Sequence, residues 1–130
     1  MKTFKPTSPS RRQLTSVDYS VLTPVKPLKS LTKNIHSKAG RNNRGIITVR
    51  HQGSGNKKSY RLVDFKQKKL NVPGIIKAIE YDPYRTAFIA RIIDQDGEYR
   101  YILAAKNMKV GDKIITTENA PLVVGNRLML

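Results

Sequence analysis

The basic charge of this chain is confined to its amino-terminal half, and that confinement limits what the half can fold into by itself. Residues 1–69 carry 17 Lys and Arg against two acids, Asp18 and Asp64, whereas residues 70–130 carry 8 against 7. The first 69 residues therefore hold +15 of the +16 net charge. Such an excess opposes compaction unless a polyanion supplies the counter-charge. Apolar residues run the other way, 31 of the last 61 against 12 of the first 39. The first 39 residues bury too little to offset the entropy of ordering, and they hold four of the seven prolines, Pro6, Pro9, Pro24 and Pro27. Residues 1–39 are expected to form a long extended basic arm that orders on a partner. Residues 40–130 are expected to be the folding unit. Protease should cut the free protein within the arm first.

The arm admits two other readings. Its acid-poor start, with Lys2, Lys5, Arg11 and Arg12, also fits an organelle transit peptide. Pro6 and Pro9 argue against the amphipathic helix that such a peptide forms. Leu28, Leu31 and Ile35 stand at helical spacing among Lys29, Lys33 and Lys38, the pattern of a short basic amphipathic helix on a membrane or a partner, but three apolar positions are too few, and an extended or single-turn segment is expected. The chain has no cysteine, which excludes a disulfide framework, a thiolate zinc site and a cysteine nucleophile. No stretch approaches the roughly 18 apolar residues of a spanning helix, so no membrane span is expected.

From Gly40 onward, short runs of β-formers alternate with Gly, Asp, Asn and Pro. The strands expected are Ile46–His51, Ser59–Phe65, Ile75–Tyr81, Ala87–Ile93 and Tyr99–Ala104, with further short runs at Lys113–Thr117 and Leu128-Met129-Leu130. Asp82-Pro83 ends the third strand, because proline removes a ladder donor. Asp94-Gln95-Asp96-Gly97-Glu98 turns the fourth strand into the fifth. Strands this short and this closely spaced point to an all-β fold, a small five-stranded OB-like barrel, rather than a parallel sheet.

Three motifs suggest chemistry that their contexts do not support. Gly53-Ser54-Gly55-Asn56-Lys57-Lys58-Ser59 resembles a nucleotide-binding loop superficially, but it lacks the Gly-Lys-Ser/Thr ending and leads into a strand rather than a helix. Asp94, Asp96 and Glu98 lack the remaining ligands of a calcium loop and read as a hairpin turn. His36 and His51 are too few for a metal site, and no nucleophile–base pair is visible. No cofactor and no enzymatic activity are expected.

The informative cluster is Arg41-Asn42-Asn43-Arg44, followed by Arg50-His51, Lys57-Lys58, Tyr60-Arg61, and Lys66, Lys68 and Lys69. Guanidinium forks suit bidentate phosphate contacts. Lysines add point charge, asparagines read base or sugar edges, and Tyr60 offers a stacking ring. With Arg11, Arg12, Lys29 and Lys33 of the arm, these are the candidate RNA-binding residues. The charge is too one-sided to be only a solvated face.

At these residues the sequence resembles a known family. GRNNRGIITVRHQGSGNKKSYRLVDFKQKK, GIIKAIEYDPYRTAFIARI, DGEYRYILA, VGDKI and GNRLML are similar to the bacterial and organellar form of the universal large-subunit ribosomal protein L2. The amino-terminal KPTSPSRR and LKSLTK resemble that family too, which answers the transit-peptide reading. The resemblance implies an rRNA-threading arm and an OB-like barrel held on large-subunit rRNA among neighbouring ribosomal proteins. It also implies a second, SH3-like barrel and a basic tail beyond the present carboxyl terminus. The family's histidine near the peptidyl-transferase region belongs to that further part, so no such role passes to His36 or His51. Local departures are Gly53-Ser54-Gly55-Asn56 for the family's Gly-Gly-Gly-His, Tyr84 for Asn, Ala105 for Pro, and Met129 for Pro. Two explanations of the length stay open: a split or shortened homologue, with its other half on a separate chain or lost, or the amino-terminal part of a longer protein. LKSLTK, EYDPYRTAFIA and DGEYRYILA resemble alphaproteobacterial versions, so the mitochondrial matrix is favoured and the bacterial cytoplasm is the alternative. The competing function is an OB-type single-stranded nucleic-acid-binding module acting off the ribosome. A small phosphate-cleaving enzyme would need an acid or metal cluster that the sequence does not supply.

Overall fold

The structure is a computed structural model and describes residues 1–53 and 55–128. Ser54, at the expected glycine-rich tip, and Met129 and Leu130, in the expected closing run, lie outside the described residues.

The apolar second half forms the barrel. Its centre is an antiparallel sheet of β5 (Gly74–Glu80), β6 (Ile89–Asp94), β7 (Tyr99–Leu103) and β8 (Lys113–Ile114), in spatial order β7-β6-β5-β8. Gly97, at φ +84°, makes the tight turn between β6 and β7, where the Asp94 amide donates to the Glu98 carbonyl. In β5 side chains alternate between the two faces through Ile76, and a bulge at Lys77 then shifts the register. The extra residue reverses the phase of the strand and bends it. Ile79 therefore joins Ile76, Ala90, Ile92, Ile102, Met108 and Ile114 in the core. Ala78, Glu80, Ile89, Arg91 and Tyr101, all buried, fall on the opposite face by register.

The chain between β4 (Ser59–Arg61) and β5 closes this sheet into a barrel. Val63 bridges Tyr101 of β7 in parallel, and the Asp64 amide donates to the Tyr101 carbonyl. At the other end the Asn71 amide donates to the Thr116 carbonyl, and Thr116 Oγ1 donates to Gln67 Oε1 at 3.0 Å. Arg127 pairs with Thr116 and donates through Nη1 to the carbonyls of Phe65 and Lys66. The all-β, OB-like expectation holds.

One expected strand is corrected. Ile46–His51 forms no strand: it makes a single bridge, Ile47 to Arg41, and Ile46, Ile47 and Val49 are exposed. β-branched residues stabilise a strand only against a neighbouring strand, and the chain here turns back on itself with no sheet edge beside it.

A strand forms instead within the stretch read as an arm. A single 3-10 turn at Lys29–Leu31 leads into β3 (Thr32–Asn34), which pairs antiparallel with β4. Upstream, Thr23 saturates the open edge of β5: its amide donates to the Ile79 carbonyl, and its Oγ1 accepts from the Ile79 amide. Tyr19 packs edge-on against Tyr81 at 5.8 Å, and Leu22 contacts the core. Residues 19–34 thus form a strap on the barrel. Residues 1–18 carry a 3-10 turn at Pro9–Arg11 and a short pairing of β1 (Lys2–Thr3) with β2 (Thr15–Ser16). No described helix is long and apolar enough to cross a membrane.

Candidate nucleic-acid interface

The basic residues fall into two populations. Of the 17 Lys and Arg before Leu70, only Lys69 meets a carboxylate among the described residues. In the barrel, Arg85, Arg91 and Arg100 pair with Asp82, Glu80 and Asp94 respectively. Charge that folding does not neutralise is left to an external anion.

Five of the unpaired cations, Arg41, Arg44, Arg50, Lys57 and Lys58, lie on one excursion. Between β3 and β4 the chain leaves the barrel, and every described residue from Arg41 to Lys58 is exposed. The base of this loop is clamped at Gly40, whose carbonyl accepts the amides of Thr48 and Val49. Gly40 has φ +71°, and a Cβ there would lie 2.1 Å from the Val49 carbonyl oxygen, so only glycine fits. Asn42 Oδ1 accepts the amides of Arg44 and Ile46 at 2.9 and 3.0 Å, and this turn presents Arg41, Asn43 and Arg44. Asn42 is thus committed through its oxygen to shaping the turn. Arg50, His51, Lys57 and Lys58 lie further along the same exposed loop.

The other expected contacts are distributed around it. Arg11 ends the 3-10 turn Pro9–Arg11 with its guanidinium 5.7 Å from the Phe4 ring, and Arg12 follows as the cap. Lys29 starts the turn before β3, and Lys33 is exposed on β3 opposite Tyr60. Lys66 and Lys68 are exposed on the closing segment. Arg61 is half-buried and donates to its neighbour's carbonyl, Ser59 O, at 2.8 Å.

Lys69 differs from the rest. Its ammonium lies 2.5 Å from both Asp96 and Glu98 and 3.6 Å from Asp94. Hydrogen bonds to Asp96 and Glu98 hold it above the usual lysine range, and the Asp96 carboxyl is held below its ordinary value by the same ammonium. The hairpin Asp94–Glu98, read from sequence as a plain turn, therefore also neutralises a lysine. Asp94 itself is buried and accepts from Arg100 Nε at 3.0 Å.

Beneath the strap lies a polar network that sequence reading did not find. Glu80 Oε1 sits 3.1 Å from Arg91 Nε, and Tyr101 Oη donates to Glu80 Oε2 at 3.0 Å. The same phenol oxygen accepts the Leu28 amide at 3.0 Å, and Arg91 Nη1 donates to the Lys26 carbonyl at 3.4 Å. Burial pushes the Glu80 carboxyl above its ordinary value, against the pull of Arg91 and the Tyr101 hydrogen bond. The network locks the strap and so fixes where β3 and the exposed loop begin.

A second group centres on Arg85. Its guanidinium pairs with buried Asp82, donates to Tyr60 Oη at 2.9 Å, and lies 4.9 and 5.4 Å from the Tyr60 and Phe65 ring centroids. Among these residues, sequence reading placed only Tyr60 in the interface. The signal available was an aspartate and an arginine three apart across a proline turn, Asp82-Pro83-Tyr84-Arg85. Among the described residues no group of three or more His, Asp or Glu is arranged to hold a metal ion.

A small OB-like barrel with a basic loop and strap that meet no carboxylate among the described residues defines the class: a basic β-barrel module. The chain belongs to the family described as Ribosomal Proteins L2, RNA binding N-terminal domain, whose model matches residues 28–116. It is 55% identical over 130 residues to large ribosomal subunit protein uL2 of Hyphomonas neptunium, covering 100% of this chain and 47% of that protein. It is 52% identical over 130 residues to uL2 of Rickettsia rickettsii, covering 48% of that protein. The chain spans about half the length of the curated relatives it matches. The family resemblance read from the sequence is borne out, and the match is to the amino-terminal part of the family.

Proposed function

We propose that this chain is a structural component of a large ribosomal subunit that binds and organises its rRNA, supporting subunit assembly and translation. The observation that carries the reading is the exposed loop from Arg41 to Lys58, whose cations have no carboxylate partner among the described residues. Family membership and relatives named large ribosomal subunit protein uL2 support the same reading. The mechanism is electrostatic and steric. Arg41, Arg44, Arg50, His51, Lys57, Lys58, Lys66 and Lys68 contact phosphates and loops, Arg11, Arg12, Lys29 and Lys33 extend the grip, and counter-ions leave. The protein positions rRNA and does no chemistry of its own.

The partners proposed are large-subunit rRNA, neighbouring ribosomal proteins and, where the carboxyl-terminal half is encoded apart, the separate chain that carries it. The mitochondrial matrix is the favoured compartment on the alphaproteobacterial likeness of several motifs, with the bacterial cytoplasm as the alternative; the relatives matched are bacterial. Sedimentation of lysate from the source cells tests the role. The protein should stay with large subunits after a high-salt wash. Recovery wholly in the free fraction would support the off-ribosome module instead.

A further inference from the structure

Charge binds any polyanion, paired or unpaired, so the basic loop by itself does not select the form of RNA. The Arg85 cluster carries the additional chemistry. Asp82, fully buried, receives the Tyr84 amide at 2.9 Å and pairs with the Arg85 guanidinium. Tyr60 packs edge-on against Tyr84 at 5.6 Å, and the Lys58 ammonium lies 5.9 Å from the Tyr84 centroid. Phe65 flanks the same guanidinium, and its backbone carbonyl accepts from Arg127. Yet Phe65 is 58% and Tyr84 43% exposed.

Single exposed apolar side chains are ordinary on protein surfaces. Two exposed rings, Phe65 beside the clamped Arg85 guanidinium and Tyr84 edge-on to the Tyr60 ring that flanks it, with Lys58 at Tyr84 and Lys57, Lys66 and Lys68 close by in the chain, are not scattered in that way. Aromatic faces beside phosphate-binding cations are how proteins hold unpaired nucleotides, because every base offers a π-face to stack on. A base stacked inside a duplex offers none. The surrounding charge favours a polyanion over a protein, since Asp64 and Asp82, the acids that adjoin these rings in the sequence, are already engaged by Arg100 and Arg85.

We propose that Phe65, beside the clamped guanidinium of Arg85, and Tyr84, edge-on to the Tyr60 ring that flanks the same guanidinium, form a stacking platform for an unpaired base of RNA. The proposal rests on the RNA-binding reading above and specifies the form of RNA taken. Arg85 and Tyr60 set the position of the rings, and the exposed rings make the contact.

The test measures the affinity of the full chain for an unpaired oligouridylate of about 12 nucleotides and for a duplex of the same length. Phe65→Ala and Tyr84→Ala should each weaken unpaired binding roughly 5- to 150-fold and leave duplex binding and the salt slope unchanged. Tyr84→Phe, which keeps the ring, should restore affinity. Both rings are exposed, so the barrel tolerates these changes. Equal losses on both RNAs, or no loss on the unpaired one, would overturn the platform while RNA binding stands. A wild-type chain that bound neither RNA would overturn the RNA-binding reading itself. Variants that kept unpaired-RNA affinity but left RNase-stripped subunit particles would point to a protein partner and overturn the platform.

Discussion

Replacing Tyr101 by Phe removes one oxygen and leaves the ring, so it tests whether the strap is held by the polar network beneath it. Tyr101 is fully buried. Its Oη joins two parts of the chain, accepting from the Leu28 amide and donating to Glu80 Oε2, both at 3.0 Å. A neutral hydrogen bond contributes about 1 kcal/mol net and one to a charged group about 1.5–3 kcal/mol, and an orphaned buried partner adds its desolvation cost. Tyr101→Phe should therefore cost about 2–4 kcal/mol, or about 4 °C in Tm for each kcal/mol at this size. Guanidinium unfolding of the free protein followed by circular dichroism gives the number, with the midpoint shifting at constant m. Limited proteolysis gives the location: cutting between Tyr19 and Asn34 should accelerate more than cutting within the barrel. A loss below about 0.5 kcal/mol, with the strap cut no faster, would refute the reasoning.

Three further outcomes follow from named contacts. Burial raises the Glu80 carboxyl in the folded state, so its contribution to stability is full below the unfolded-state value and is lost as pH rises through the folded one. The stability of Glu80→Gln relative to the parent should accordingly improve as pH rises across that window, measured by urea unfolding at a series of pH values. Lys69 is held by Asp94, Asp96 and Glu98, so Lys69→Ala should leave the salt slope of RNA binding unchanged, whereas Lys57→Ala should reduce it by about 1; salt titrations of the two variants decide. Gly40→Ala places a Cβ against the Val49 carbonyl at positive φ and should weaken RNA binding by displacing the loop base while the barrel's melting transition persists; anisotropy and calorimetry check the two halves of that statement.

The barrel strands were legible because each has a partner that shares its pattern. β6 and β7 lie within two residues of their expected bounds, with a glycine turn between them. The Ile46–His51 strand was misread because its residues have the composition of a strand and no neighbouring strand to pair with. The strap was illegible for the converse reason. Residues 19–34 look too polar and too proline-rich to fold, yet they are held by backbone hydrogen bonds to Ile79 and Leu62 and by the phenol of Tyr101, which no local pattern reveals. The bulge at Lys77 was equally invisible, since Ile75–Tyr81 reads as one unbroken strand in the sequence. For the interface, charge was legible residue by residue, but its partners were not. Only the fold brings Lys69 against the Asp94–Glu98 hairpin, commits the Asn42 oxygen to a turn, and gathers Phe65, Tyr84 and Arg85 around Tyr60. These depend on contacts between residues distant in sequence.

The central claim is that the charge excess of residues 1–69, Lys69 apart, is left unneutralised by the fold in order to meet RNA. The most direct test is the salt dependence of rRNA binding by the purified chain. If about 8 phosphates are contacted, affinity should fall roughly 10³- to 10⁵-fold between 50 and 200 mM salt, linearly on a log–log plot. An affinity that barely changed over that range would contradict the claim and show that the basic half is not the contact surface.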